Sequence, residues 1–80
     1  MKILFFARLR DSIDCAETSL EVLQPTQVHN VIKQLLIDHP DWQDAFDKPL
    51  LVAINQTMAD MDSQVNNEDE LAFFPPVTGG

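Results

Sequence analysis

Apolar side chains cluster at the two ends of this 80-residue chain and in one regularly spaced stripe between them. The segment Lys2-Ile3-Leu4-Phe5-Phe6-Ala7-Arg8 is short, apolar and aromatic-rich, which predicts a strand. Alternation would set Ile3, Phe5 and Ala7 on one face and Leu4, Phe6 and Arg8 on the other. The polar stretch around Asp11, Ser12 and Asp14 predicts a connection. Thr18-Ser19-Leu20-Glu21-Val22 alternates as a second strand, returning as a hairpin with a long loop. Pro25-Thr26 opens the clearest helix, with Thr26 as its N-cap. Val28, Val31, Ile32, Leu35 and Leu36 then form a stripe at helical spacing, with Asn30, Lys33 and Gln34 facing water. Pro40 ends that helix, because the residue before a proline resists helical geometry.

Further along, Asp41 to Phe46 predicts one more short turn, with Trp42 and Phe46 plugging an end of the core. Leu50-Leu51-Val52-Ala53-Ile54 reads as a third strand and Asn55-Gln56-Thr57 as a turn. Met58 to Met61 is a short fourth strand and Asp62 to Asp69 a loop. Glu70-Leu71-Ala72-Phe73-Phe74 is the last strand, stopped by Pro75-Pro76. A mixed sheet of four to five strands with one main helix across one face is an α+β domain, and the element order fits the β-grasp, or ubiquitin-like, arrangement. There the first and last strands lie side by side and parallel at the sheet centre, where the most apolar segments belong. The expected organisation is one β-grasp domain over residues 1–74 and an extended reactive tail over residues 75–80.

Composition narrows the partners. Five basic against 13 acidic residues give a net charge of −8 and a pI near 4.3. Phosphate binding is driven by Lys and Arg, so neither nucleic acid nor an anionic membrane surface is an expected partner. A partner with a basic surface would be steered in by the field. One cysteine, Cys15, forms no internal disulfide, which argues for a reducing compartment. The apolar run from Ile3 to Ala7 is too short for a signal peptide and no run reaches membrane-span length. A cytoplasmic protein is expected.

The middle of the chain offers little chemistry. His29 and His39 are ten positions apart on the expected helix, far round the cylinder from each other, so no metal site is expected. Asp60, Asp62, Glu68, Asp69 and Glu70 lack the glycine-pivoted spacing of a calcium loop and read as acidic surface. Cys15 lies among acids, a setting that opposes a thiolate nucleophile. Serine, histidine and aspartate occur without a glycine elbow to organise them.

The end of the chain differs. Its last residues are Phe73-Phe74-Pro75-Pro76-Val77-Thr78-Gly79-Gly80, and Gly79 and Gly80 are the only glycines, where average composition would scatter about six. Six residues from Pro75 reach about 20 Å when extended. Pro75 and Pro76 hold their segment extended, and β-branched Val77 and Thr78 favour the same state. Gly79 and Gly80 then carry the carboxyl group through a space too narrow for a β-carbon. A carboxylate is a poor acyl donor. Activation by a nucleotide-using partner makes it a mixed anhydride, which a sulfur species converts to a thiocarboxylate. Phe6 and Phe74 fall on the sheet face that a single helix leaves open, which predicts a docking patch at the base of the tail.

These residues carry a resemblance over essentially the whole length. Leu4-Phe5-Phe6-Ala7 with Arg10, Asn55-Gln56-Thr57 and above all Asp69 to Gly80 resemble the sulfur-carrier subunits of molybdopterin synthase. The resemblance implies a β-grasp fold and adenylation of Gly80 by a partner related to ubiquitin-activating enzymes, which consumes ATP; the carrier itself holds no permanent cofactor. It further implies conversion of Gly80 to a thiocarboxylate by a sulfur-relay donor. Sulfur is then delivered to cyclic pyranopterin monophosphate inside a large subunit that supplies the catalytic residues, in a heterotetramer of two small and two large subunits. Positions matching Phe6, Met58 and Phe74 meet the partners in that family, with methionine at 58 where leucine is frequent. A related carrier for thiamine or another pathway, and a ubiquitin-like protein modifier, are the alternative readings.

Overall fold

A computed structural model describes residues 1–76. The first strand, β1 (Lys2–Phe5), is shorter than alternation predicts. The chain breaks from it through Ala7, whose φ of 57° is left-handed, and enters helix α1 (Ala7–Ile13). The connection expected around Asp11 and Ser12 is therefore helical. Leu9 and Ile13, four apart on one helical face, are both buried. The run into Arg8 looks like one continuous strand because such a break is ordinarily marked by glycine, and here alanine occupies it. Asp14, also left-handed at φ 53°, ends the helix with its N–H on the Arg10 carbonyl.

Strand β2 (Glu17–Ser19) returns antiparallel to β1. Its pairing is prolonged by Leu20, whose N–H donates to the Met1 carbonyl at 3.0 Å while its carbonyl accepts from the Met1 ammonium at 2.7 Å. Next, β3 (Thr26–Gln27) leads directly into α2 (Val28–Asp38). Thr26 is thus a strand residue and not the N-cap. The first amides of α2 are satisfied from elsewhere in the fold: Val28 N–H donates to the Ser63 carbonyl and His29 N–H to the Met61 carbonyl, both at 3.0 Å. His39 lies just past α2 as its C-cap. A 3₁₀ turn (Pro40–Trp42) and α3 (Gln43–Phe46) follow, as the sequence predicts.

Strands β4 (Leu51–Ile54) and β5 (Thr57–Ala59) form a hairpin. Asn55 and Gln56 turn it with φ values of 51° and 69°, the twisted two-residue geometry that suits a hairpin. The loop expected over 62–69 contains β6 (Gln64–Val65), which pairs antiparallel with β3. This ribbon is two residues long on each side, below the length at which alternation is legible. The last strand, β7 (Glu70–Phe74), has the bounds its sequence predicts.

The main sheet has five strands in the order β2-β1-β7-β4-β5, with β1 and β7 parallel at its centre. Ile3, Phe5, Val52, Leu71 and Phe73 point to one side and join Val28, Val31 and Leu35 of α2 in a single buried cluster. Trp42 closes one end, edge-on to Phe5 at 5.4 Å, and Phe46 meets Phe73 edge-on at 6.0 Å. Among the described residues no helix is long and apolar enough to cross a membrane.

Candidate functional site

The register of the sheet determines which residues face away from the core. Leu4 pairs with Ala72, Ala72 with Ala53, and Ala53 with Met58, so these four form one row across β1, β7, β4 and β5. Phe74 pairs with Leu51 in the next row. Phe6 has left β1, yet its N–H still donates to the Phe73 carbonyl at 3.1 Å, holding it beside the end of β7. Phe6 is 43% exposed, Met58 58% and Leu51 37%, while Phe74 is half-buried. The buried helix residues belong to the cluster on the other side, so this face is an open apolar patch.

Phe6, extended at φ −128° and ψ 158° although it is the N-cap of α1, keeps the alternation of β1 and so falls on the face of Phe74, as expected, and the register adds Met58 to that face. Leu51 belongs with them and was not expected. The only sequence signal for it is its place two residues from Ala53 in the third strand. Its pairing with Phe74 is a long-range register that local pattern does not specify. Pro75 and Pro76 follow Phe74 directly and are half-buried. Val77, Thr78, Gly79 and Gly80, the remaining expected site residues, lie outside the described residues.

Several candidates set aside from sequence have plain structural roles. His29 Nε2 lies 2.8 Å from Gln27 Oε1, and His39 stacks on Trp42 with ring centroids 3.9 Å apart, so the two histidines serve separate places. The Cys15 thiol donates to the Glu17 carbonyl at 3.3 Å. Asp60 Oδ1 accepts from Asp62 N–H at 2.9 Å and braces its own turn. Asp69 accepts from Asn66 N–H at 2.8 Å and from Asn55 Nδ2 at 2.9 Å. Asn55 also accepts from Glu70 N–H at 3.0 Å, which binds the β4–β5 turn to the start of β7. Asp60 and Asp69, two of the acids before the last strand, thus organise backbone. Among the described residues, no group of three or more His, Cys, Asp or Glu side chains is placed to hold a metal ion. What the site offers is a surface: an apolar face leading into the segment that carries the chain end.

Residues 3–80 match the model of the ThiS family. The molybdopterin synthase sulfur carrier subunit of Haemophilus influenzae is 43% identical, the match covering 100% of this chain and 99% of that protein. Among solved structures, small archaeal modifier protein 1 (SAMP1) of Haloferax volcanii superposes with a TM-score of 0.81 at 25% identity, covering 100% of this chain and 98% of that one. A chain of the complex of subunits 1 and 2 of molybdopterin-converting factor from Helicobacter pylori shares the fold at a TM-score of 0.66 and 16% identity, covering 99% of this chain and 96% of that one. With its central parallel strand pair, open apolar face and end-to-end match, the chain belongs to the ThiS family of ubiquitin-like β-grasp proteins, the group that includes the molybdopterin synthase sulfur carrier subunits.

Proposed function

We propose that this chain is the sulfur carrier subunit of a molybdopterin synthase. The observation that carries the reading is the 43% identity to such a subunit over the whole of both chains. The chemistry follows from the chain end. An adenylating partner joins the Gly80 carboxylate to the AMP moiety of ATP, releasing pyrophosphate. A persulfide on a relay protein then attacks the acyl adenylate and displaces AMP, and a second thiol cleaves the S–S bond of the resulting acyl disulfide, leaving a terminal thiocarboxylate on Gly80 and a disulfide on the relay. The carrier supplies no catalytic side chain of its own; ATP is consumed on the partner. The tail next enters the large subunit, where sulfur passes to cyclic pyranopterin monophosphate and Gly80 returns as a carboxylate. Two deliveries build the dithiolene.

Each part of the molecule has a place in that cycle. Phe6, Met58 and Phe74 dock the fold, Pro75 and Pro76 stiffen the base of the tail, and β-branched Val77 and Thr78 favour an extended tail as it enters the partner. Gly79 and Gly80 pass the constriction. Tethering gives the sulfur a high local concentration at its acceptor, which free sulfide lacks. The Helicobacter pylori structure is a complex of subunits 1 and 2, in keeping with a large-subunit partner, and we extend this to a heterotetramer of two small and two large subunits. The reading puts the protein in the cytoplasm, where the free thiol of Cys15 stays reduced.

Reconstitution tests it. Chain bearing a terminal thiocarboxylate, mixed with a synthase large subunit and the pterin precursor, should yield molybdopterin, and carboxylate chain should yield none. Equal yields from both would sink the proposal. Gly79→Ala should slow activation and transfer at least tenfold with an unchanged thermal midpoint; normal transfer rates would remove the threading argument. The likeness to a small archaeal modifier favours a second reading, in which the end is joined to lysines of other proteins. Mass spectrometry of protein from cells separates the two: sulfur in place of oxygen supports the carrier, conjugated lysines the modifier.

A further inference from the structure

A cavity of about 550 Å³, open to solvent, flanks the base of the tail. It lies between α1, the segment joining α3 to β4, and the Pro75-Pro76 pair. Leu9, Leu50 and the two prolines give it apolar walls. Arg8 and Lys48 reach it from two separate elements. Two of the chain's five cations thus meet at one opening in a molecule of net charge −8. Lys2 and Arg10 are paired, with Glu17 at 3.9 Å and Asp11 at 3.8 Å. Arg8 and Lys48 make no ion pair among the described residues, and Asp11, which also lines the cavity, is the acid that Arg10 engages.

We propose that this cavity is a docking socket for a carboxylate flanked by an apolar side chain on the protein that receives the tail. The inference rests on the reading above that the tail enters a partner. Four residues follow Pro76, about 14 Å when extended. A pocket that holds Gly80 therefore has its mouth close to this cavity. The socket and the docking patch flank the same base of the tail, since Phe74 of the patch is followed by Pro75, which lines the cavity. Over most of the surface this acidic molecule favours a basic partner; here the local sign is reversed. Opposite charges placed side by side set the orientation of a complex and reject misaligned ones.

The test uses the full-length chain and a synthase large subunit, with affinity measured by calorimetry at low and moderate ionic strength. Arg8→Glu and Lys48→Glu together should weaken binding at least tenfold. Arg8→Gln with Lys48→Gln should weaken it less and flatten its salt dependence. Lys33→Glu, on α2 away from the cavity, is the control for added negative charge and should bind as the unaltered chain does. Thermal melts establish that each variant is folded. Unchanged affinity in both double variants would overturn the proposal. So would tighter binding by the reversed variant, which would mean that the socket holds this chain's own terminal carboxylate. Self-association of the unaltered chain that disappears in the reversed variant would assign the socket to a second copy and overturn it as well. If the unaltered chain does not bind a large subunit at all, the functional reading falls, and the socket with it.

Discussion

Among the described residues, four that are not glycine occupy left-handed backbone: Ala7, Asp14, Asn55 and Gln56. Asparagine and aspartate tolerate that region comparatively well, because their short polar side chains can bond locally. Alanine has no such compensation, and its β-carbon crowds the following carbonyl at a cost of about 1 kcal/mol. At Ala7 this conformation ends β1 and leaves Phe6 at the surface beside Phe74. Ala7→Gly should therefore raise the free energy of unfolding by up to about 1 kcal/mol, and Ala7→Val should lower it by about 1–2 kcal/mol. Denaturant titrations of the three proteins measure both. A glycine variant less stable than the alanine protein would show that no strain is held there.

Among the elements, the β4–β5 hairpin does more than turn the chain. The Asn55 side chain accepts from Glu70 N–H and donates to Asp69, and its own N–H donates to the Glu70 carbonyl at 2.8 Å. One turn residue thus places β4 against β7, the strand that leads into the tail. Asn55→Ala loses both side-chain bonds and puts alanine into a left-handed position, a combined cost of about 2 kcal/mol. Asn55→Gly keeps the backbone geometry and should cost about half as much. Equal losses in urea unfolding would mean that the side-chain bonds alone matter. At this scale the sequence was legible where an element was long or strongly patterned. The stripe from Val28 to Leu36 and the run from Glu70 to Phe74 are such cases. It was not legible at α1, where seven residues carry only Leu9 and Ile13 as a buried pair, nor at the two-residue ribbon of β3 and β6.

At the scale of the whole molecule, the two faces of the sheet divide the work. One packs against the helices and stabilises the domain, and the other stays apolar and open. Leu51→Glu should leave the thermal midpoint nearly unchanged, since the residue is 37% exposed, and should weaken binding to a large subunit at least tenfold. Leu23→Glu, at a fully exposed loop position outside the rows of that face, is the control and should bind normally. Calorimetric titration decides. Full affinity in the Leu51 variant would remove it from the docking patch.

The five strands of the main sheet, the main helix and the parallel pairing of the first and last strands were readable from the chain alone. The elements rest on local periodicity, and the pairing on the β-grasp arrangement that their order fits. Contact across the chain decided the rest. Leu51 joined Phe74 through strand register, the first turn of α2 found its carbonyl partners at Met61 and Ser63, and Arg8 met Lys48 at one cavity. Such pairings depend on distances between residues far apart in sequence, which spacing along a strand or helix does not encode.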